Sequence, residues 1–99
     1  MVLPAHASGR PVQRFPLGKI VITPGALKAL TGEDVLGALG RHVVGDWGEL
    51  CPEDLAENER SLREGFRLFS SYRSPSGVKF WIITEADRSS TCVLLPEEY

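Results

Sequence analysis

From Pro24 onward the hydrophobic rhythm of this sequence changes at Gly65. Before it, apolar residues recur at helical spacing: Val35, Leu36, Leu39 and Val43 form one stripe, and Leu55 and Leu62 lie seven apart. After it the period is two. Phe66, Leu68, Ser70 and Tyr72 alternate with Arg67, Phe69, Ser71 and Arg73, and Val78–Glu85 (VKFWIITE) is the strongest strand signal in the chain. Helices followed by strands within 99 residues predict one α+β domain. The expected architecture is helices packed on one face of a three- to four-stranded antiparallel sheet.

Local punctuation divides the helical half into three. Thr23-Pro24 starts a first helix ending near Leu30, with Leu27 and Leu30 inward. Thr31 caps a second, with Asp34 placed to close a capping box. Gly37 and Gly40 weaken that helix, and a close approach by another element would explain them. Cys51-Pro52-Glu53-Asp54 opens a third helix, which Gly65 ends in the left-handed conformation. Ser74–Gly77 and Ala86–Ser90 are turns, so the strands after Gly65 form an antiparallel meander. Lys19–Thr23 (KIVIT) is expected to add a fourth strand at an edge. Residues 1–14 hold Pro4, Gly9 and Pro11 and no apolar signal segment, and are expected to be a flexible leader before the domain at 15–99. With no export signal visible, Cys51 and Cys92 are expected to be reduced thiols in a cytoplasmic protein.

The formal charge of −2 hides a segregation. Residues 1–30 carry +4, residues 31–59 carry −7, residues 60–90 carry +3 and the tail carries −2. A partner meeting the helices should therefore be basic, and one meeting the sheet acidic or phosphorylated. No apolar run reaches the roughly 18 residues of a membrane helix. No phosphate-cradling glycine loop and no CxxC or HxxxH spacing occurs, so no cofactor and no metal are expected.

Some residues carry possible chemistry. His42 falls near the end of the second helix, with Asp46 four residues on to orient it as a general acid or base. The structural alternative is a helix-ending His that caps carbonyls or packs. Cys51 is a conceivable nucleophile for it, without an orienting motif. Gly45-Asp46-Trp47-Gly48 is a tight turn that either presents Trp47 to a partner or plugs the core with it. Arg73 and Arg88 are candidate phosphate anchors, and Ser90 and Thr91 offer hydroxyls. Glu85, Asp87 and Arg88 suggest a salt-bridged hairpin tip.

Lys19–Leu27 (KIVITPGAL), Gly45–Gly48 (GDWG), Trp81–Ser89 (WIITEADRS) and Leu94–Tyr99 (LLPEEY) resemble a family of short bacterial proteins common on plasmids and other mobile elements. Members are labelled hypothetical, plasmid-related or restriction-subunit-like, and the resemblance spans Phe15–Tyr99. It implies a mobile-element accessory protein that binds a host or element-encoded protein. One version blocks a restriction or CRISPR complex by mimicking nucleic acid, with Glu53, Asp54, Glu57 and Glu59 as the acidic surface. Asp46, Trp47 and Arg88 are further binding candidates. At fold level the chain is also similar to barnase and RelE-like ribonucleases. That likeness implies a metal-independent ribonuclease or toxin using His42, Arg73 or Arg88, and Ser90 or Thr91. A third reading is a homodimer paired through Lys19–Thr23. The protein-binding reading leads and leans away from an enzyme, with nucleic acid the less favoured partner.

Overall fold

A computed structural model describes residues 12–99. Along the chain come β1 (Lys19–Ile22), α1 (Pro24–Ala29), α2 (Gly32–Val43), α3 (Pro52–Glu64), β2 (Leu68–Arg73), β3 (Lys79–Thr84), β4 (Ser90–Leu94) and a 3-10 turn (Pro96–Glu98). The strands form one sheet in the order β1-β4-β3-β2, and the class is α+β. β2, β3 and β4 make the expected antiparallel meander. β1 takes the expected edge, but it runs parallel to β4, with Lys19 opposite Ser90 and Ile22 opposite Val93. The sheet is therefore mixed, not wholly antiparallel. Tight turns dictate antiparallel pairing only from β2 to β4, whereas three helices separate β1 from the meander.

The helix ends follow local chemistry. Thr31 and Asp34 exchange side-chain-to-backbone hydrogen bonds of 3.0 Å in both directions, a complete capping box. Gly65 closes α3 at φ +79°. The C terminus returns to α1: the Glu98 carboxylate accepts from the Thr23 hydroxyl (2.5 Å), the Gly25 N–H (2.9 Å) and the Leu95 N–H (2.9 Å).

One sheet face carries Tyr72, Phe80, Ile82 and Val93, which pack against Ala26, Leu30, Val35, Ala38 and Leu39 from α1 and α2. Leu27 and Leu36 are instead exposed, at 67% and 72%. The buried stripe of α2 runs through Val35, Ala38, Leu39 and His42, and Leu36 is turned about 100° away from Val35. A Cβ at Gly37 or Gly40 would meet open space, so no close approach accounts for either glycine.

A second cluster joins Phe15, Trp47 and Leu68 to Leu17, Leu50 and Leu62 on the same face. Leu62 turns toward it, while Leu55 stays 36% exposed, so the two do not share a buried stripe. What α3 buries most is polar, Asn58 and Ser61. The Asn58 amide accepts from the Phe69 N–H (3.1 Å) and donates to the Phe69 carbonyl. Ser71 N–H donates to Trp47 O (3.1 Å), and Glu49 N–H donates to Ser71 O (2.7 Å). Together these seal the outer edge of β2, where an open ladder would recruit other strands.

Of the expected leader 1–14, residues 1–11 lie outside the described residues. Arg14 within it is anchored. Its N–H donates to Val43 O (2.8 Å), and its guanidinium grips Glu59 at 2.9 and 3.1 Å. Among the described residues no helix is long and apolar enough to cross a membrane.

Candidate functional site

His42 is fully buried, with Phe15 (centroids 5.2 Å apart) and Trp47 (5.5 Å) set edge-on to its ring. Its polar atoms join a chain of side chains from three strands. Nδ1 lies 2.5 Å from Ser70 Oγ, and Nε2 lies 2.9 Å from Thr84 Oγ1. Thr84 Oγ1 is 2.8 Å from Thr91 Oγ1, which donates to Leu17 O at 2.6 Å. The carbonyl end sets the direction of every bond. The Thr91 proton goes to Leu17, so the Thr84 proton goes to Thr91 and the His42 Nε2 proton to Thr84. Nδ1 is then left to accept from Ser70. The imidazole is thus neutral with both nitrogens satisfied. Burial, aided by the Arg88 charge, lowers its pKa from 6.5 to about 4.

The structure places the His42 ring inside the core at 0% exposure, and Asp46 does not orient it. The Asp46 carboxylate accepts from Arg41 at 2.8 and 3.2 Å, which holds its pKa below the ordinary carboxylate value. Its backbone carbonyl accepts from the Tyr72 hydroxyl at 2.6 Å, and burial raises the Tyr72 pKa to about 12. Cys51 is exposed and does not share the interior with His42. Thr91 is 0% exposed and Ser90 half-buried, so Thr91 offers no hydroxyl to solvent.

Trp47 is 3% exposed, and its indole N–H donates to Glu59 at 2.9 Å. It plugs the core and presents no face to a partner. Arg88 is likewise spent inside the protein. Nη1 donates to the carbonyls of Phe66 (2.6 Å), Glu85 (3.1 Å) and Ala86 (3.2 Å), and Nη2 to Ser61 O (3.2 Å). It clamps the carbonyl end of α3 to the β3–β4 turn, where a cation is favoured. The expected Glu85–Asp87–Arg88 tip is replaced by this clamp, and Glu85 pairs with Arg67 at 3.2 Å. Arg88 adopts φ +61°, a left-handed conformation costing a non-glycine residue about 1 kcal/mol. Arg88→Ala is therefore expected to destabilise by about 2 kcal/mol, and Arg88→Gly by about 1 kcal/mol less. Chemical denaturation of both variants checks this, and equal losses would place no strain at residue 88.

Arg73 is exposed and sits 3.6 Å from Glu49. It borders a groove of about 310 Å³ between α2 and the β2–β3 hairpin, where Glu33 and Asp34 oppose Arg41 and Arg73. Glu53, Asp54 and Glu57 are exposed on α3, with Glu57 3.4 Å from Arg60. Glu59 is committed to Arg14 and Trp47. The ribonuclease set is thus dispersed, with His42 and Thr91 inside, Arg88 bound to carbonyls and Arg73 at a hairpin end. Among the described residues no group of three or more His, Cys, Asp or Glu side chains could hold a metal ion.

The second sheet face holds a different feature. Arg67, Phe69, Trp81, Ile83 and Tyr99 line a cavity of about 260 Å³. Trp81 meets Phe69 edge-on (5.0 Å, 80°) and Tyr99 edge-on (5.8 Å, 70°). Tyr99 is 74% exposed, and its hydroxyl accepts from Arg67 at 3.3 Å. Ser71 and Trp81 are cross-strand partners on this face. Among the described residues, the Ser71 hydroxyl and the Trp81 indole N–H are the buried side-chain groups without a hydrogen-bond partner. Phe69 and Tyr99 were missing from the sequence-predicted candidates. The usable signal was Phe69 itself, an aromatic residue placed in the otherwise polar register Arg67–Ser71–Arg73.

No protein-family model, no curated protein and no solved structure matches this chain.

Proposed function

We propose that the protein is a binding module for another protein and docks it on the second sheet face. One observation carries this reading: the cavity among Phe69, Trp81, Ile83 and Tyr99, on the face opposite both helix-packed clusters. Large aromatic residues around a concave apolar site are the usual anchors of protein recognition. At about 260 Å³ the cavity lies below the range of drug-sized ligand pockets and suits a side chain. The resemblance to plasmid-borne proteins supports a cytoplasmic accessory role. It makes a host or element-encoded protein, such as a subunit of a restriction or CRISPR complex, the partner class to test.

Affinity capture of the tagged full chain from its native host, after nuclease treatment, tests the reading. A discrete protein should be retained. It should be lost with Tyr99→Glu and kept when Glu53, Asp54 and Glu57 are neutralised together. Loss only on neutralising α3 would transfer the function to acidic mimicry of nucleic acid. Capture that disappears with nuclease would overturn protein binding.

A further inference from the structure

The cavity and its surroundings specify more than a generic apolar site. On this face the β2–β3 hairpin presents successive rows across the two strands: Phe69 with Ile83, Ser71 with Trp81, and Arg73 with Lys79. Arg67 borders the cavity at the other end. The apolar middle is therefore flanked by cations. Lys79 is exposed and has no ion-pair partner among the described residues, and Arg67 is held by a half-exposed pair with Glu85 and a 3.3 Å hydrogen bond to the Tyr99 hydroxyl. Exposed pairs of this kind contribute little and exchange readily.

One feature separates protein from nucleic acid as occupant. Single-stranded nucleic acid stacks its bases flat on exposed aromatic faces. Here the rings stand at 80° and 70° to one another and pack edge to face, which leaves a slot and no platform. Trp81, which lines the slot, and Ser71, its cross-strand partner outside the lining, carry an unmet polar demand beneath this face. The Ser71 hydroxyl, on a residue 2% exposed, and the opposing Trp81 N–H both lack partners.

We infer that the second sheet face recognises an extended acidic segment of a partner protein, with one large apolar or aromatic side chain in the Phe69–Trp81–Ile83–Tyr99 slot and a carboxylate on Lys79. Lys79 lies two residues before Trp81, about 7 Å along the strand. The carboxylate therefore belongs about two to four residues from the anchor in the partner.

This inference rests on the protein-binding reading, and the experiment separates the two. A random peptide display library is selected against the immobilised full chain. The consensus peptide is then measured by titration calorimetry beside its Asn/Gln version and an oligouridylate. The expected consensus is a large apolar residue with Asp or Glu two to four positions away. Lys79→Glu should weaken the consensus peptide about tenfold or more. Trp81→Phe, which keeps an aromatic ring but removes part of the slot wall, should weaken it about threefold to tenfold. Both variants are checked for native circular dichroism. A basic or neutral consensus, no enrichment, or an oligouridylate that binds more tightly than the peptide overturns the inference. If selection fails while a protein is still captured from the host, the chemistry is wrong and the protein-binding reading stands.

Discussion

Acidification from pH 6.5 to 4 is expected to cost this protein about 3 kcal/mol of stability, through His42. Above pH 6.5 the imidazole is neutral in both folded and unfolded chains and the term vanishes. Below it the unfolded chain takes up a proton that the folded chain refuses until about pH 4. The histidine contribution to stability therefore falls by about 1.4 kcal/mol per pH unit across that window and levels off beneath it. Folded Asp46, Glu59, Asp87 and Glu98 have lowered pKa values, so their stabilisation is lost only as pH drops below the ordinary carboxylate range. The window from 6.5 to about 4.5 belongs to the histidine. A domain of this size has about 5–10 kcal/mol in total, so the loss is a large fraction. Urea denaturation at successive pH values checks the slope, and His42→Gln should flatten it. His42→Gln should also destabilise at pH 7 by about 2–4 kcal/mol, because Ser70 and Thr84 lose well-placed partners inside the core. A wild-type imidazole that titrates near pH 6.5 by NMR would sink the prediction.

Legibility from sequence tracked the range of the interactions. Thr31 with Asp34, Pro24, Pro52 and Gly65 act within one helical turn, and each boundary they imply is present. The meander was legible because two short turns force it. The direction of β1 was not, since no local signal distinguishes parallel from antiparallel pairing across three helices. The His42 network was hidden for the same reason. Its members are residues 42, 70, 84 and 91, and each alone reads as an unremarkable polar position. Arg88 was misread because its acceptors, Ser61 O and Phe66 O, are backbone atoms more than 20 residues away. The strings Lys19–Leu27, Gly45–Gly48, Trp81–Ser89 and Leu94–Tyr99 are joints of the fold. Thr23 and Gly25 meet Glu98, Trp47 meets Glu59, and Arg88 meets α3. The candidate docking face was half legible. Trp81 and Ile83 stood out as apolar, but only the register of β2 against β3 shows that Phe69 joins them and that Lys79 borders them.

Gly48→Ala is expected to destabilise by about 3 kcal/mol or more, while Gly40→Ala is expected to stabilise by about 0.5–1 kcal/mol. The same added methyl meets opposite surroundings. At Gly40 it points into open space on an exposed helix, where it only restricts the unfolded chain and improves propensity. At Gly48 it would lie 2.1 Å from Ser71 O and 2.7 Å from the Tyr72 ring, on a residue at φ +77°. The left-handed conformation alone costs alanine about 1 kcal/mol. The steric conflict adds to that, because neither neighbour can yield cheaply. Ser71 O accepts from Glu49 N–H, Ser71 N–H donates to Trp47 O, and Tyr72 is 2% exposed with its hydroxyl on Asp46 O. Moving residue 48 outward breaks the two backbone bonds that close the β2 edge, each contributing about 1 kcal/mol. The measurement is thermal or urea unfolding of both variants, with amide hydrogen exchange at Ser71 as the local readout. Faster exchange at Ser71 in Gly48→Ala is expected, together with concentration-dependent aggregation from the reopened edge. Losses of equal sign and size at the two glycines would mean that the Gly48–Ser71 contact is not what closes this edge.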